Sequence, residues 1–294
     1  MISIIIITCN SQKFISLCLD SIKKQDCRDF ELIIVDNGSN DKTIDMIKGN
    51  YDSVILILNN ENLGASKARN QGIDIAKYEW ILTLDNDVAL EKGFLSRIQG
   101  LIKSLPKDIG IVQPKILYPD KKKIYSCGLY LSWMRRFYDI GKGKKDVGQY
   151  SKAKEIFGAC SAAALYRRDM LDDIREGTGY FDERFFFLVE DVDLAWRAQK
   201  KAWKAQFYPE LTCYHSGDSS LTNDKMRQYL CFRNRYLMIE KNEGWKNYTL
   251  RILPLLFYDL PRLAYLFISN PYCRRGINLK TGSQAQVPVL KNRS

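Results

Sequence analysis

The 294-residue sequence contains a single histidine, His215, and none of its eight cysteines falls in a C-x-x-C pair. Cys213 and His215 lack two further ligands at sensible spacing, so a tetrahedral zinc centre is excluded as the leading reading. No G-x-G-x-x-G follows the first strand-like run and no G-x-x-x-x-G-K-[ST] occurs anywhere, which removes the phosphate cradles of NAD-dependent and P-loop ATP chemistry. No charge-free apolar run approaches the roughly 18 residues of a membrane-spanning helix. The most apolar late stretch, 251–269, is interrupted by Arg251, Pro254, Asp259, Pro261 and Arg262, so it is expected to lie on a bilayer or to pack on the domain. The N-terminus lacks the basic region and cleavage site of a signal peptide, and no internal repeat is present. The cysteines are therefore expected as reduced cytosolic thiols, mostly in the core.

The chain is 46% hydrophobic and 27% charged, which suits a globular protein and excludes a disordered, collagen-like or disulfide-scaffold class. Its formal charge of +11 is unevenly spread: 13 basic and 4 acidic residues fall in 221–294, so +9 sits in the last quarter. That asymmetry points to an anionic partner for the C-terminus, either phospholipid or nucleic acid.

Ile2 to Thr8 is a β-branched run of the kind buried on both faces of a parallel sheet. Phe14, Leu17, Cys18 and Ile22 then share one predicted helical face. Strand character returns at 32–35, 54–58 and 81–84, with helices expected at 65–76 and 94–105, so the fold class is α/β with a doubly wound, mostly parallel sheet. After Gly110 the rhythm becomes α+β: a strand at 111–118, hairpin or loop at 121–145, an apolar small-residue stretch at 156–166, and a helix at 191–201 with Leu194, Ala195 and Ala198 inward. The expected divisions are 1–110, 111–245, and a basic, apolar segment over 246–294.

In open α/β sheets ligands bind beyond the carboxyl ends of the strands, so the polar residues that follow each apolar run are the ones to inspect. They are Thr8-Cys9-Asn10, Asp36-Asn37-Gly38-Ser39, Asn62-Leu63-Gly64 with Arg69 and Asn70 beyond, and Asp85-Asn86-Asp87. Asp85 and Asp87, one residue apart at a strand end, suit a hard divalent cation; a capped turn before the Phe94 helix is the alternative.

These segments, with Asp41 and with Gly179 to Glu183, Phe186, Glu190 to Leu194 and Arg197 further on, resemble family 2 glycosyltransferases, in an arrangement similar to the bacterial rhamnosyltransferase-like branch. The resemblance covers about residues 1–245. It implies a GT-A fold and inverting transfer of a sugar from a nucleoside diphosphate (TDP or UDP) to a saccharide or polyprenyl-linked acceptor in cell-surface polysaccharide synthesis. Under it Thr8, Asn10, Asp36, Asn62, Gly64, Arg69 and Asp85 serve the nucleotide end, with Asp36 accepting the base imide hydrogen. Asp87, with His215, would hold Mg²⁺ or Mn²⁺. Asp191, with Glu190 beside it, would take the acceptor proton, with a pKa raised by the crowding of Glu190 and Asp193. Arg233 presents a planar fork to a phosphate oxygen, whereas Arg235 faces elsewhere. Gly158 and Ala159 would let an acceptor sugar approach the backbone. The alternatives remain a helix-surface ion pair for Arg69, an N-terminal cap for Glu190 and Asp191, and a tightly packed strand for Gly158 and Ala159.

The basic C-terminus is then expected on the anionic cytoplasmic face of the membrane, as a peripheral attachment, with no nucleic-acid partner. A nucleic-acid-binding module would instead carry a helix-turn-helix, RRM or zinc-finger pattern, and a sugar nucleotidylyltransferase an early Gly-rich loop with Arg and Lys; neither is present.

Overall fold

The expected buried first strand forms at Ile2–Thr8 (β1), hydrogen-bonded on both edges in a computed structural model that describes residues 1–51, 53–217, 224–249 and 255–275. The further strands are β2 Phe30–Asn37, β3 Val54–Asn59, β4 Trp80–Asp85, β5 Val88–Leu90, β6 Ile109–Leu117, β7 Ile124–Ser126, β8 Leu129–Leu131, β9 Phe137–Asp139, β10 Lys154–Ile156, β11 Ala163–Arg167 and β12 Lys204–His215. The helices that matter for the site are α1 Ile15–Lys23, α2 Thr43–Asn50, α3 Ala65–Ile75, α4 Phe94–Ile102, α5 Arg168–Asp173, α6 Glu190–Lys200 and α7 Asp224–Asn242.

One sheet runs β10-β12-β6-β11-β4-β1-β2-β3, with β5 added to β12 and β7 to β6; β8 and β9 form a separate hairpin. The pairs β1–β2, β1–β4, β2–β3 and β6–β12 are parallel, while β11 enters antiparallel between β4 and β6. Alternate residues of β1 feed opposite layers, as a two-face-buried strand requires. Ile2, Ile4 and Ile6 pack with α1 and α4, and Ile5 packs with α3, α5 and α6. A smaller cluster of Phe185, Val189, Val192, Met238 and Ile239 joins α6 to α7.

The first helix corrects the expected face. Leu17 is 55% exposed and Phe14 is the N-cap, because the helix starts at Ile15 and its inward stripe is Ile15, Cys18, Leu19 and Ile22. The apolar small-residue stretch at 156–166 is divided between the end of β10 and the start of β11 by a non-strand connection. All eight cysteines are free; four are buried and four partly buried. Residues 251–254 of the apolar stretch and the tail beyond 275 lie outside the described residues.

Candidate active site

Register brings the polar strand ends together. Thr8 lies opposite Asp36, and Ile7 opposite Asp85, so the ends of β1, β2 and β4 form one rim. The chain turns after Asp85 into β5, whose antiparallel pairing with β12 sets Val88 against His215 and delivers the imidazole to the same turn. His215 Nε2 is 3.0 Å from Asp87 Oδ1 and 3.9 Å from Asp85 Oδ2. The Gly217 amide donates to Asp87 Oδ2 at 3.0 Å. Burial pushes the His215 pKa down, but hydrogen bonding and charge from Asp87, then charge from Asp85, outweigh it and leave the pKa above its ordinary value. Burial also pushes Asp85 up, against the opposing charges of Arg69 and His215. Cys213, the other zinc candidate, packs in the core behind Leu90.

Arg69 is neither a helix-surface ion pair nor an open donor for a nucleotide. It is buried, and its guanidinium spans Asp85 Oδ1 at 2.9 Å and Glu190 Oε1 at 2.6 Å, tying α6 to the end of β4. Glu190 Oε2 is buried with no hydrogen-bond partner among the described residues. Asp191 accepts the Val192 amide at 2.8 Å and the Ser161 amide at 3.3 Å, while the N-cap of α6 is Val189 and carries no side-chain cap; the Asp191 pKa is pushed up to about 7. Burial is the main cause and the Glu190 charge the second. The expected crowding by Asp193 is absent, because that carboxylate is spent on Arg197 and Lys241, at 2.9 and 2.8 Å, and on Asn242; Asp139 contributes instead.

The Glu190-Asp191 pair is presented by a strained approach. Phe186, Leu188 and Val189 all have positive φ, at 63°, 70° and 74°, in a region that costs non-glycine residues about 1–3 kcal/mol each. Two devices hold it. The Phe186 carbonyl accepts from the Ala65 and Ser66 amides at the start of α3, and Gly64 must be glycine there, since a Cβ would sit 2.6 Å from the Phe186 ring at a φ of +88°. Asn234, fully buried, donates its amide nitrogen to the Phe185, Phe187 and Leu188 carbonyls at 2.9, 2.9 and 2.8 Å. Sequence reasoning passed over Asn234 in favour of its neighbours. The signal was there: it interrupts the inward series Met226, Leu230, Met238 on α7 with a polar side chain. Asn234→Ala is expected to cost about 1–3 kcal/mol, the penalty for unsatisfied buried carbonyls, and to lower turnover more than donor affinity. Thermal melts and steady-state kinetics check this; a variant with unaltered melting and turnover would remove the clamp.

The remaining expected site residues distribute as follows. Asp36 is fully buried and its oxygens accept the Ser39 amide at 2.9 Å and the Ser39 hydroxyl at 2.5 Å, one donor on each oxygen, so each keeps a second lone pair for a base imide. Asn10, at φ 51°, donates its amide to Ser39 Oγ at 2.8 Å, and Thr8 Oγ1 is buried without a hydrogen-bond partner among the described residues. Asn62 accepts from the Gly64 amide at 2.9 Å and contacts Cys9 Sγ at 3.8 Å. The acceptor expectation for Gly158 and Ala159 is corrected: a Cβ on Gly158 would lie 2.3 Å from Ala195 Cβ, and Ala159 is 1% exposed, so both pack against α6. Arg233 donates from Nη1 to the Arg184 carbonyl at 3.0 Å and to Asn234 Oδ1 at 2.7 Å, contacts that engage one nitrogen of its fork. Arg235 does face elsewhere, pairing with Asp259 at 2.6 Å. Tyr125, not anticipated, lies edge-on to His215 with ring centroids 4.3 Å apart.

Asp85, Asp87 and His215 each offer a ligand atom, all within 4.8 Å of one another. Together with Glu190 and Asp191 the cleft sets four carboxylates against Arg69 and one imidazole, an excess of negative charge that a divalent cation would offset. Carboxylate oxygens with one imidazole nitrogen fit Mn²⁺ and are compatible with Mg²⁺.

An α/β sheet of this order, with two acidic clusters joined at its strand ends, is the GT-A glycosyltransferase fold. GalNAc-T7, solved with UDP, GalNAc and Mn²⁺, superposes with a TM-score of 0.65 at 16% identity, covering 85% of this chain and 50% of that one. Residues 1–349 of S. aureus TarS, solved with UDP, give 0.56 at 19% identity over 90% of this chain and 69% of that one. Residues 3–175 match the family Glycosyl transferase family 2, and the chain belongs to it. A PGL/p-HBAD biosynthesis glycosyltransferase of Mycobacterium bovis (strain BCG / Pasteur 1173P2) is 40% identical over 106 residues, 35% of this chain. The match spans 41% of that relative, less than half its length.

Proposed function

We propose that the protein is an inverting glycosyltransferase that moves a sugar from a nucleoside diphosphate, uridine or thymidine, to an acceptor hydroxyl in cell-surface glycan synthesis. Rhamnose is the sugar that the branch resemblance favours. The observation that carries the reading is the cluster of Asp85, Asp87 and His215 at the strand ends, joined through Arg69 to Glu190 and its neighbour Asp191. The solved GT-A neighbours with bound UDP support the donor class.

In this reading Asp191 accepts the proton of the acceptor hydroxyl. The freed oxygen bonds to the anomeric carbon from the face opposite the diphosphate, and the bond from that carbon to the diphosphate oxygen breaks with its electron pair. Arg69 keeps the Glu190 charge paired while Asp191 works beside it. Asp87, His215 and Asp85 would hold Mg²⁺ or Mn²⁺, which supplies Lewis-acid neutralisation of charge on the diphosphate. A panel of nucleoside diphosphate sugars, with and without Mn²⁺, tests the donor by thermal shift. A matching donor at about a hundred times its Kd adds about 2.7 kcal/mol of stability. That gain should require Mn²⁺ and vanish in Asp87→Asn; a panel without any stabilising sugar nucleotide would overturn the reading.

No described helix is long and apolar enough to cross a membrane. The helix Leu260–Ser269 instead exposes an apolar face, with Leu260 48%, Phe267 53% and Ile268 75% exposed, after Phe257 at 77%. With the basic excess of 221–294, this face supports peripheral attachment to the anionic cytoplasmic leaflet. Sedimentation with phosphatidylglycerol vesicles at low salt should fall about tenfold or more in the triple variant Phe257→Ser, Phe267→Ser, Ile268→Ser, a loss of about 1.4 kcal/mol or more. Equal sedimentation of variant and wild type would refute the attachment.

A further inference from the structure

A cavity of about 440 Å³ opens between α7, the β8–β9 hairpin and the segment 258–262. Four arginines line it, Arg136, Arg227, Arg235 and Arg262, against a single carboxylate, Asp224. Helical spacing places Arg227, Cys231 and Arg235 in one row along α7. Arg235 is committed to the fold: its guanidinium serves Asp259, Tyr248 and the Met134 and Arg135 carbonyls. The other arginines are held differently. Arg136 lies over the rings of Tyr258 and Tyr138, at 4.3 and 5.2 Å, and Arg262 over Tyr265 at 5.6 Å. Neither Arg136 nor Arg262 makes an ion pair among the described residues. A guanidinium stacked on an aromatic face is held by the ring without spending its N–H donors, which suits bidentate capture of phosphate oxygens.

The cavity borders the catalytic pair. Phe137 on its wall packs in one apolar cluster with Val189 and Val192, the residues on either side of Glu190 and Asp191. A bare saccharide has no need of such a concentration of guanidinium groups. A group carrying two or more negative charges does, because each charge-assisted contact is about twice as strong as a neutral one.

Building on the glycosyltransferase reading, we propose that this cavity is an acceptor subsite for a phosphate group, with Arg136 and Arg262 as its principal ligands and Arg227 beside them, so that the acceptor is a phosphorylated molecule whose hydroxyl reaches Asp191 while its phosphate is gripped by α7 and the 258–262 segment. The same chemistry belongs to two sources, a lipid-linked phosphate and a polyol phosphate. The segment that supplies Tyr258 and Arg262 also carries the exposed Phe257 and Leu260, which would set the lipid form beside the bilayer.

The test uses the full chain and four probes: farnesyl diphosphate, farnesol, sn-glycerol 3-phosphate and glycerol, each titrated by calorimetry. Wild-type protein should bind at least one phosphorylated probe about tenfold or more tightly than its uncharged counterpart. The double variant Arg136→Gln, Arg262→Gln should lose about tenfold or more for that probe, and Arg136→Lys, Arg262→Lys should recover part of it. Preference for farnesyl diphosphate assigns the lipid source, and equal or better binding of glycerol 3-phosphate assigns the polyol. If wild-type protein treats phosphorylated and uncharged probes alike, the subsite is refuted whatever the variants do. Donor binding measured on the same preparations separates the two levels: a protein that binds a sugar nucleotide but no phosphate probe loses only this inference, whereas one that binds no sugar nucleotide loses the glycosyltransferase reading itself.

Discussion

Asp191→Asn should leave sugar-nucleotide affinity nearly unchanged and lower turnover about 10²- to 10⁴-fold, the contribution of a positioned general base. The physical reason is the contrast between its two environments. Its oxygens receive only two backbone amides, while burial and the Glu190 charge disfavour the ionised form and push its pKa up to about 7. A carboxylate with that affinity for a proton can hold one taken from an alcohol, where an ordinary surface aspartate could not. Nucleotide release against pH, with calorimetry for the donor, separates the steps. Wild-type turnover should fall about tenfold per pH unit on the acid side of about 7, because the neutral form cannot accept a proton; the variant's residual rate should lose this limb.

The same raised pKa has an opposite consequence for stability. Because the folded state favours the protonated acid, the stability that Asp191 contributes is full below the ordinary carboxylate range and is lost as pH rises through about 7. The asparagine cannot ionise, so the melting temperature of the variant relative to wild type should increase between pH 5.5 and 8.5, by roughly 2–4 °C per kcal/mol. Full turnover in Asp191→Asn, or a difference in melting that does not grow with pH, would require another base.

The sheet was legible because its strands are unusually plain. A run such as Ile2 to Thr8 has one stable burial, between layers, and the polar residues that end each run mark the ligand-binding edge. Asp85, Asp87 and His215 could be expected near one another through the family resemblance, but the reason they meet is the three-residue β5, too short to read from composition, which pairs with β12 and carries His215 into the turn. Gly158 was misassigned because small size serves two purposes and only the partner decides: Ala195 takes the space there. Arg69 and Asn234 are the converse case. Their importance comes from partners 121 and about 47 residues away, so the local pattern marks Asn234 as a polar break in an apolar series but does not say what either residue holds.

Arg69→Met should be the most destabilising single change in the site. Removing the guanidinium strands Asp85 and Glu190, which meet it at 2.9 and 2.6 Å, and breaking a buried pair costs about 3–5 kcal/mol because the remaining charges lose their compensation. With two carboxylates abandoned, the melting temperature should drop by roughly 6–20 °C, using about 2–4 °C per kcal/mol for a chain of this size. Arg69→Lys keeps the charge but cannot span both acids with one ammonium, so it should fall between wild type and Arg69→Met. Turnover should fall in both variants, since Arg69 joins the end of β4 to the start of α6 and so sets the distance between the proposed cation site and Asp191. Adding Glu190→Gln to Arg69→Met removes one stranded charge and should recover about 0.5–3 kcal/mol without recovering turnover, a coupling that a double-mutant cycle reads directly. Recovery of both would mean that the bridge serves only stability, and an Arg69→Met protein that melts and turns over like wild type would mean that the two acidic clusters are held together by something other than this arginine.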